Sequence, residues 1–121
     1  KTACVIGRSN LVGKPLAHLL KQRGARVLVA HKQTPDIPSL TIQSDRVVSA
    51  AGSRNLVTAG MIKIGAAIVD VGINESVGKL AGDVDFGNVQ TKAGFITPVP
   101  GGVGPLTVIM LLKNVVQAAS A

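Results

Sequence analysis

Aromatic residues are scarce in this sequence. Its 121 residues include two Phe and no Tyr or Trp. Proteins that bind single-stranded nucleic acid stack the bases on aromatic side chains, so this scarcity argues against a nucleic-acid partner. Acidic residues are also few, because 13 Lys and Arg against 6 Asp and Glu give a net charge of +7. The excess of positive charge favours an anionic ligand without naming it.

Cysteine and long apolar runs are equally scarce. The single cysteine, Cys4, cannot form an internal disulfide, and its place in an apolar run favours a small buried residue in a reducing compartment. The longest nearly uncharged apolar run, residues 106–112, is far shorter than the roughly 20 residues that span a bilayer. With no signal-peptide pattern at the start, we expect no membrane partner and a cytoplasmic protein, although an upstream transit peptide would make it mitochondrial or plastid.

What the sequence does contain is a glycine-bounded turn between an apolar run and a helical pattern. The stretch VIGRSNLVGKP, residues 5–15, joins a buried strand to a helix that Gly24 ends. The start of a helix after a parallel strand directs backbone N–H groups toward one point, where an anion binds. Only Gly7 and Gly13 are glycine, so the spacing is not the usual G-x-G-x-x-G. A turn that needs glycine for its geometry alone is the alternative.

Strand and helix patterns alternate along the rest of the chain. After a first strand at residues 3–6, strands are predicted at 26–30, 46–50, 67–71 and 94–96, helices at 12–20, 39–43, 58–62 and 86–92, and a hairpin-like excursion at 74–82. Alternation of this kind is typical of a parallel sheet. We predict one domain over residues 1–121, an α/β Rossmann-like fold with a doubly wound parallel sheet of about five strands and helices on both faces.

The ligand crevice of such a sheet lies at the carboxyl ends of the strands, where the strand order reverses. We expect it to be lined by residues 7–13, 31–34, 50–52 and 72–74. An NAD site uses an acidic residue about twenty positions after the glycines to bind the ribose hydroxyls, but no Asp or Glu occurs before Asp36. Arg8 and Lys32 can instead approach a ribose 2′-phosphate, which favours NADP over NAD. For Lys32 an ordinary solvated lysine is the alternative.

The last segment combines a loop with an unusually apolar helix. Residues 97–105 are too rich in Gly and Pro for regular structure, and a helix is predicted at residues 106–116. Thr107, Lys113 and Asn114 alone interrupt its apolar residues. A helix that is apolar nearly all round is buried on more than one side. We expect one side to cover the sheet and the other to pack against a second domain or subunit.

Four motifs occur in a fixed order, namely VIGRSNLVGKP, VSAAG, VDVGIN with GDVDF, and GFITPVPGGVGPLT. Together, over residues 1–118, they closely resemble the NAD(P)-binding domain of the bifunctional methylenetetrahydrofolate dehydrogenase/cyclohydrolase family. The resemblance implies an enzyme of one-carbon metabolism that transfers hydride from 5,10-methylenetetrahydrofolate to NADP and then hydrolyses the methenyl product. It also implies a homodimer and, as ligands, tetrahydrofolate one-carbon derivatives.

The resemblance also assigns residues to the two ligands. It implies cofactor contacts at Gly7, Arg8, Ser9, Lys32, Ile73 and Thr107, and folate contacts at Pro100, Gly101, Gly102, Val103 and Gly104. From the expected crevice we add Val12, Gly13, His31, Thr34, Ala51, Gly52 and Gly72 as cofactor contacts. The backbone of Ile73 would hold the nicotinamide carboxamide. At Lys32 many relatives have Ser or Arg, and lysine keeps the charge of arginine without its bidentate geometry.

Catalytic residues are not expected in this chain. In the family, an N-terminal domain carries the tyrosine and the lysine that serve the chemistry, and this chain has no tyrosine. Among its own proton-transfer candidates, His31 belongs to the adenosine end and His18 to an exposed helix face. Asp70, Asp83 and Asp85 are expected to cap loops or bind backbone. No cluster of His, Cys and carboxylate residues has the spacing of metal ligands, so no metal is expected.

A second function, from a different class, fits the same residues. The chain would be a non-catalytic nucleotide-binding module whose apolar last helix docks another protein. This explains the absence of a catalytic half. It does not explain the intact PVPGGVGP loop, which the family uses to contact folate. We therefore favour a part of the enzyme.

Overall fold

The structure is a computed structural model that describes residues 1–76 and 78–119. Its strands are β1 Thr2–Ile6, β2 Arg26–Ala30, β3 Arg46–Ser49, β4 Ala67–Asp70, β5 Asn74–Ser76, β6 Lys79–Ala81 and β7 Phe95–Ile96. Its helices are α1 Gly13–Gln22, α2 Ile37–Thr41, α3 Phe86–Val89 and α4 Val103–Ala119, with a 3₁₀ turn at Ala59–Met61. Five strands form the main sheet in the order β2-β1-β3-β4-β7, and all its neighbouring strands are parallel.

Strand β1 lies where the strand order reverses. On one side it pairs with β2, with Thr2 opposite Arg26, and on the other side it pairs with β3, with Ala3 opposite Arg46. The apolar runs of β1 and β3 are buried, as expected for parallel strands that are covered on both faces. The prediction of a doubly wound α/β sheet is confirmed.

The two faces of the sheet carry different helices. One face packs against α2, the 3₁₀ turn and α3. Its buried core includes Cys4, Ile6, Ile37, Val47, Met61, Ile62, Ile68 and Val89. The opposite face carries α1, whose Gly13 and Ala17 are buried. Helices therefore lie on both faces of the sheet, as the sequence predicts.

Helix α1 ends as its sequence predicts. The N–H of Gly24 donates to the carbonyl of Lys21 at 3.0 Å, and the N–H of Ala25 donates to the carbonyl of Leu20 at 3.1 Å. Gly24 has a φ of +87°, a conformation that costs glycine little because it has no Cβ. The chain then turns directly into β2.

Two short helices are displaced from their predicted positions. Helix α2 spans Ile37–Thr41 rather than 39–43, because Pro38 is accepted in the first turn, where its missing N–H has no partner to lose. Helix α3 spans Phe86–Val89 rather than 86–92. The N–H of Lys92 donates to the carbonyl of Val89 at 3.0 Å, so the chain already turns toward β7 there.

The polar excursion after β4 is confirmed as a hairpin. Strands β5 and β6 pair in antiparallel fashion, with Asn74 opposite Ala81, and form a sheet of their own. Val77, within the predicted excursion, lies outside the described residues. The hairpin returns the chain to the end of β4, which places Asp83 beside Asp70.

Helix α4, which spans Val103–Ala119 rather than 106–116, differs from the prediction at both ends and in its burial. It begins at Val103 because Pro105, its third residue, fits a first helical turn, so the predicted loop ends three residues too late. None of its described residues is buried, and Leu106 and Leu112 are 57% and 60% exposed. The expected cover by the sheet is therefore wrong within this chain, since the described residues provide no surface that encloses the helix. No helix in the described part of the chain is long and apolar enough to cross a bilayer.

Cys4 offers a test of the buried sheet. Its thiol lies in β1 with no exposure, and desolvation raises its pKa to about 11. Because the thiolate is the nucleophile, we expect a chromogenic disulfide reagent near neutral pH to leave the native chain unmodified. The same reagent should label the single cysteine in guanidinium, which is the control. Rapid labelling of the native chain would contradict the central position of β1.

Candidate functional site

Three backbone segments meet at the carboxyl end of β1. Gly7 has a φ of +113°, and a Cβ built on it would lie 2.5 Å from the carbonyl oxygen of Ala50. A Cβ on Gly13 would lie 2.1 Å from the carbonyl oxygen of Gly7. Both distances are too short for a real Cβ, so both positions require glycine. The two glycines bring the start of α1 and the end of β3 against the same turn.

The turn after β1 leaves hydrogen-bond donors available. The hydroxyl oxygen of Ser9 accepts the N–H of Val12 at 3.2 Å and that of Gly13 at 3.4 Å, so it satisfies part of the first turn of α1. The N–H groups of Arg8 and Ser9 make no hydrogen bond within the described residues. Such N–H groups beside a helix start are typical ligands of a phosphate. A bound anion could therefore accept hydrogen bonds from the N–H groups of the turn as well as interact with the start of the helix.

A second turn follows β2. The N–H of His31 donates to the hydroxyl of Thr34 at 2.9 Å, and the N–H of Thr34 donates to the carbonyl of His31 at 2.9 Å. Nδ1 of His31 accepts the N–H of Gln33 at 3.2 Å. These bonds close the turn, and they leave Lys32 exposed within it. Thr34 thus supports the geometry of the turn.

The two turns and the end of β3 enclose a crevice of about 380 Å³. It is lined by Gly7, Arg8, Ser9, His31, Lys32, Gln33, Ala50 and Ala51. Its volume is within the range of small-molecule sites, about 300–1,000 Å³. The lining contains two basic side chains, those of Arg8 and Lys32, and no carboxylate, which favours an anionic ligand. Gln33 and Ala50 lie within the predicted crevice ranges 31–34 and 50–52, although neither was among the individual cofactor contacts that were expected.

A buried carboxylate holds the residues that follow β3. Asp83 is fully buried. Its Oδ2 accepts the Ser49 hydroxyl at 2.8 Å, the Ala51 N–H at 2.8 Å and the Gly52 N–H at 3.3 Å, and its Oδ1 accepts the Ser53 N–H at 2.9 Å and the Asn74 side-chain amide at 3.2 Å. The expected backbone-binding role of Asp83 is confirmed. Gly52 therefore supports the crevice wall without lining the crevice.

Asp70, the last residue of β4, holds Asp83 in turn. Its carboxylate accepts the N–H groups of Gly72 at 3.0 Å, Asp83 at 3.1 Å and Val84 at 3.1 Å. Burial raises the pKa of this carboxyl above its ordinary value, because desolvation of the charged form outweighs the three bonds that favour it. The predicted role of Asp70 in binding backbone is also confirmed.

The other titratable candidates lie outside the crevice. His18 is exposed on α1, as predicted. The expected capping or backbone-binding role of Asp85 is wrong, because its carboxylate does not cap α3 and accepts only the side-chain amide of Asn88 at 2.8 Å among the described residues. Within residues 1–76 and 78–119, no group of three or more His, Cys, Asp or Glu side chains is arranged to hold a metal ion.

Three further predicted cofactor contacts, Gly72, Ile73 and Thr107, do not line the crevice. Gly72 is buried against Asp83, whose Oδ1 would lie 2.1 Å from an added Cβ. Ile73 follows it and is 68% exposed. The hydroxyl of Thr107 donates to the carbonyl of Val103 at 3.0 Å. The crevice thus brings together predicted residues from the ends of β1, β2 and β3, while these three stay predictions.

An apolar groove of about 560 Å³ lies beside α1 on one face of the sheet. Its lining consists of Ala3, Leu11, Val12, Pro15, Leu16, Leu19, Leu20, Arg46, Val48, Ala67, Val69, Val71, Val103 and Thr107. Val12, a predicted cofactor contact, lines this groove rather than the crevice. Among the predicted folate contacts, Pro100, Gly101 and Gly104 are exposed, and Gly102 and Val103 are half-buried.

The substitution Gly13→Ala tests the backbone contact at the turn. The added Cβ meets the carbonyl of Gly7, so we expect the free energy of unfolding to fall by about 1–3 kcal/mol. The predicted cofactors NADP and NAD should bind more weakly by the same factor, since the turn faces the part that they share. Gly60→Ala is the matched control, because a Cβ there meets no atom within 4 Å. Thermal unfolding and calorimetric titration measure both effects, and unchanged affinity would show that Gly13 serves only the fold.

Comparison with known proteins gives a consistent result along the whole chain. The family model for the tetrahydrofolate dehydrogenase/cyclohydrolase NAD(P)-binding domain matches residues 1–121. The bifunctional protein FolD of Paraburkholderia xenovorans is 57% identical over 118 residues, which are 97% of this chain and 41% of that protein. The FolD protein of Polaromonas sp. strain JS666 is 54% identical over 120 residues, which are 98% of this chain and 43% of that protein.

Solved structures agree with the sequence comparison. The bifunctional FolD methylenetetrahydrofolate dehydrogenase/cyclohydrolase of Campylobacter jejuni has a TM-score of 0.96 at 50% identity, over 98% of this chain and 42% of that one. The Trypanosoma brucei methylenetetrahydrofolate dehydrogenase-cyclohydrolase, solved with NADP and an inhibitor, has a TM-score of 0.89 at 48% identity, over 94% of this chain and 41% of that one. This chain thus spans less than half the length of the relatives it matches. Its sequence and its fold place it in the tetrahydrofolate dehydrogenase/cyclohydrolase family, as the NAD(P)-binding domain.

Proposed function

We propose that this chain is the cofactor-binding domain of an NADP-dependent 5,10-methylenetetrahydrofolate dehydrogenase that is also a 5,10-methenyltetrahydrofolate cyclohydrolase. The observation that carries the proposal is the crevice at the carboxyl ends of β1, β2 and β3, whose lining holds two basic side chains and no carboxylate. The family match over residues 1–121 supports it. Together they fit an anionic dinucleotide.

The residues of the crevice fit the adenosine and phosphate portion of NADP. Gly7 and Gly13 leave no room for a side chain at the turn, so a phosphate can approach its backbone. The N–H groups of Arg8 and Ser9 are available to it. Lys32 and Arg8 carry the positive charge that suits a ribose 2′-phosphate. When bound, NADP supplies the nicotinamide ring that accepts the hydride.

The contribution of this chain to the reaction is positioning. We assign Gly72, Ile73 and Thr107 to the nicotinamide side of the site and residues 100–104 to one wall of the folate site. His31 uses Nδ1 to accept the N–H of Gln33, so that atom is committed to its own turn. Holding two reactants in register accelerates a reaction without an acid or a base. We therefore place the catalytic residues in a separate N-terminal domain of the intact protein.

Exposed apolar surfaces support the presence of that domain. Leu106, Ile109 and Leu112 of α4 are each more than half exposed, and the 560 Å³ apolar groove is open beside α1. Contiguous apolar surfaces mark interaction sites. We infer that an N-terminal folate domain covers α4 and completes the folate pocket. A homodimer and a cytoplasmic location are further parts of the proposal, and they rest on the family resemblance.

A second candidate function rests on the exposure of α4 alone. In this function the chain is a non-catalytic nucleotide-binding module that docks another protein through the helix. This function requires that the domain bind cofactor without turnover, both alone and when it is extended by an N-terminal domain. The first candidate requires turnover once the folate domain is present, so the two are separable by assay.

The substitution Lys32→Asp is expected to reverse the cofactor preference. It replaces attraction by repulsion at the 2′-phosphate and provides an acceptor for the free ribose hydroxyls. We expect NADP affinity to fall at least tenfold and NAD affinity to rise in calorimetric titration. Lys79→Asp, at an exposed position in β6, is the control with the same change of net charge. A wild-type chain that binds NAD as tightly as NADP would contradict the role of Lys32.

The 121-residue chain alone is expected to bind NADP and to show neither dehydrogenase nor cyclohydrolase turnover. The reason is that residues 100–104 form only one wall of the folate site, and a wall does not exclude water. NADPH formation from 5,10-methylenetetrahydrofolate would be compared between this chain and the same protein extended by an N-terminal folate domain. Equal rates would place the catalytic groups in this half and direct attention to His31, Asp83 and Asp85. Absence of turnover from both proteins would favour the nucleotide-binding module.

A further inference from the structure

We propose that Asp83 is a positioning residue of the cofactor site, which acts through the backbone of residues 51–53 and is itself positioned by Asp70. The inference rests on the proposed function, because it takes the crevice to be the cofactor site. It adds that the wall formed by Ala50 and Ala51 is set before the cofactor binds. The sequence places Asp83 about thirty residues away from that wall, and the resemblance assigns no such role to it.

Asp83 does not line the crevice, yet it determines one of its walls. Three of the groups that its carboxylate accepts are the consecutive N–H groups of Ala51, Gly52 and Ser53. A charged acceptor that binds three consecutive N–H groups sets the direction of that backbone, since such bonds are shorter and stronger than neutral ones. Because Asp83 is completely buried, water does not compete for these bonds.

The wall held by Asp83 is in contact with the phosphate turn. The N–H of Ala50 donates to the carbonyl of Ile6 at 2.8 Å, and the carbonyl oxygen of Ala50 lies 2.5 Å from the point where a Cβ of Gly7 would stand. A displacement of residues 50–51 by about 1 Å, enough to impair a positioned site, would either open the crevice or press this carbonyl against Gly7. The available N–H groups of Arg8 and Ser9 follow Gly7 directly, so their direction depends on the same contact.

Asp70 and Asp83 are each seated against a glycine of the other segment. A Cβ on Gly82 would lie 1.8 Å from Oδ2 of Asp70, and a Cβ on Gly72 would lie 2.1 Å from Oδ1 of Asp83. Each carboxylate therefore occupies the space that a side chain on the facing segment would fill. Asp70 also accepts the N–H of Asp83 itself. Asp70, at the end of β4, therefore holds Asp83 in position, and Asp83 in turn holds the wall of the crevice in position.

An amide cannot replace the carboxylate of Asp83. All five of its hydrogen-bonding partners are donors, and the Asn74 amide and the Ser49 hydroxyl alone among them can reverse to accept. An asparagine would present one oxygen and one NH₂ group. Whichever way it turns, at least one N–H of residues 51–53 then faces another donor. The backbone must move to relieve this contact, because an unpaired buried N–H is costly.

The test compares Asp83→Asn with Asp45→Asn in the 121-residue chain. Asp45 also binds backbone, since it accepts the N–H of Thr2 at 2.9 Å, and it pairs with Lys63, but it precedes β3 at the opposite end of the sheet. Both substitutions should lower the melting temperature. In calorimetric titrations well below the melting temperature of each variant, only Asp83→Asn should weaken NADP and NAD, each by about tenfold, or 1.4 kcal/mol.

The outcomes separate this inference from the proposed function. A wild-type chain that does not bind NADP refutes the proposed function before any variant is compared. A wild-type chain that binds NADP, with an Asp83→Asn variant that binds both cofactors equally well, overturns the positioning role alone. So does a loss confined to NADP, which would assign the effect to charge at the 2′-phosphate. Should Asp83→Asn not fold, amide hydrogen exchange of the wild-type chain decides. The N–H groups of residues 51–53 must be protected without cofactor, and rapid exchange overturns the inference.

Discussion

The approach of three backbones at Gly7 is the contact on which the rest of this structure depends. Ala50 after β3 lies where a side chain on Gly7 would stand, and Gly7 lies where a side chain on Gly13, at the start of α1, would stand. With no side chain between them, the relative positions of β1, α1 and β3 are set by packed backbone, which tolerates little displacement. The crevice exists because these segments meet at one end of the sheet, and its donors follow from the same meeting, since Arg8 and Ser9 continue the chain from Gly7.

Much of this arrangement could be predicted because its signals are local. An apolar run that ends at Gly7 and a helical pattern that ends at Gly24 suffice for the first strand and helix, and the same reasoning gave the remaining strands of the parallel sheet. Lys32 was predictable as a crevice residue because it follows the second strand in such a sheet, and strand ends share one edge. The direction in which a single side chain points cannot be predicted from local sequence. Val12, which was expected to contact the cofactor, accordingly lines the apolar groove and not the crevice.

The features that escaped prediction depend on contacts between distant parts of the chain or, under the proposed function, on a domain outside it. That Asp83 would bind backbone could be expected from its residue type, but its partners at residues 51–53 are brought to it by the hairpin and by the pairing of β3 with β4. Helix α4 illustrates the other limit. Its apolar pattern indicates burial, but a pattern cannot say which surface provides it, and the described residues leave Leu106 more than half exposed. The matched relatives are more than twice as long as this chain, and the proposed function assigns the cover of α4 to an N-terminal domain.

The backbone N–H groups of residues 51–53 and the basic side chains of the crevice contribute to the site in different ways. The N–H groups of residues 51–53 point at Asp83 and are unavailable to a ligand, so the wall they belong to provides shape rather than charge. Positive charge comes instead from Arg8 and Lys32, and both side chains are exposed. Exposed charges act only over a Debye length of about 8 Å at physiological ionic strength. Under the proposed function, discrimination at the 2′-phosphate would rest on short-range, salt-sensitive attraction to Arg8 and Lys32, whereas the shape of the crevice that NAD and NADP share would rest on the buried geometry beneath it. The proposed function thus assigns cofactor preference to an exposed residue, Lys32, and the shape of the crevice to the carboxylates and glycines beneath it.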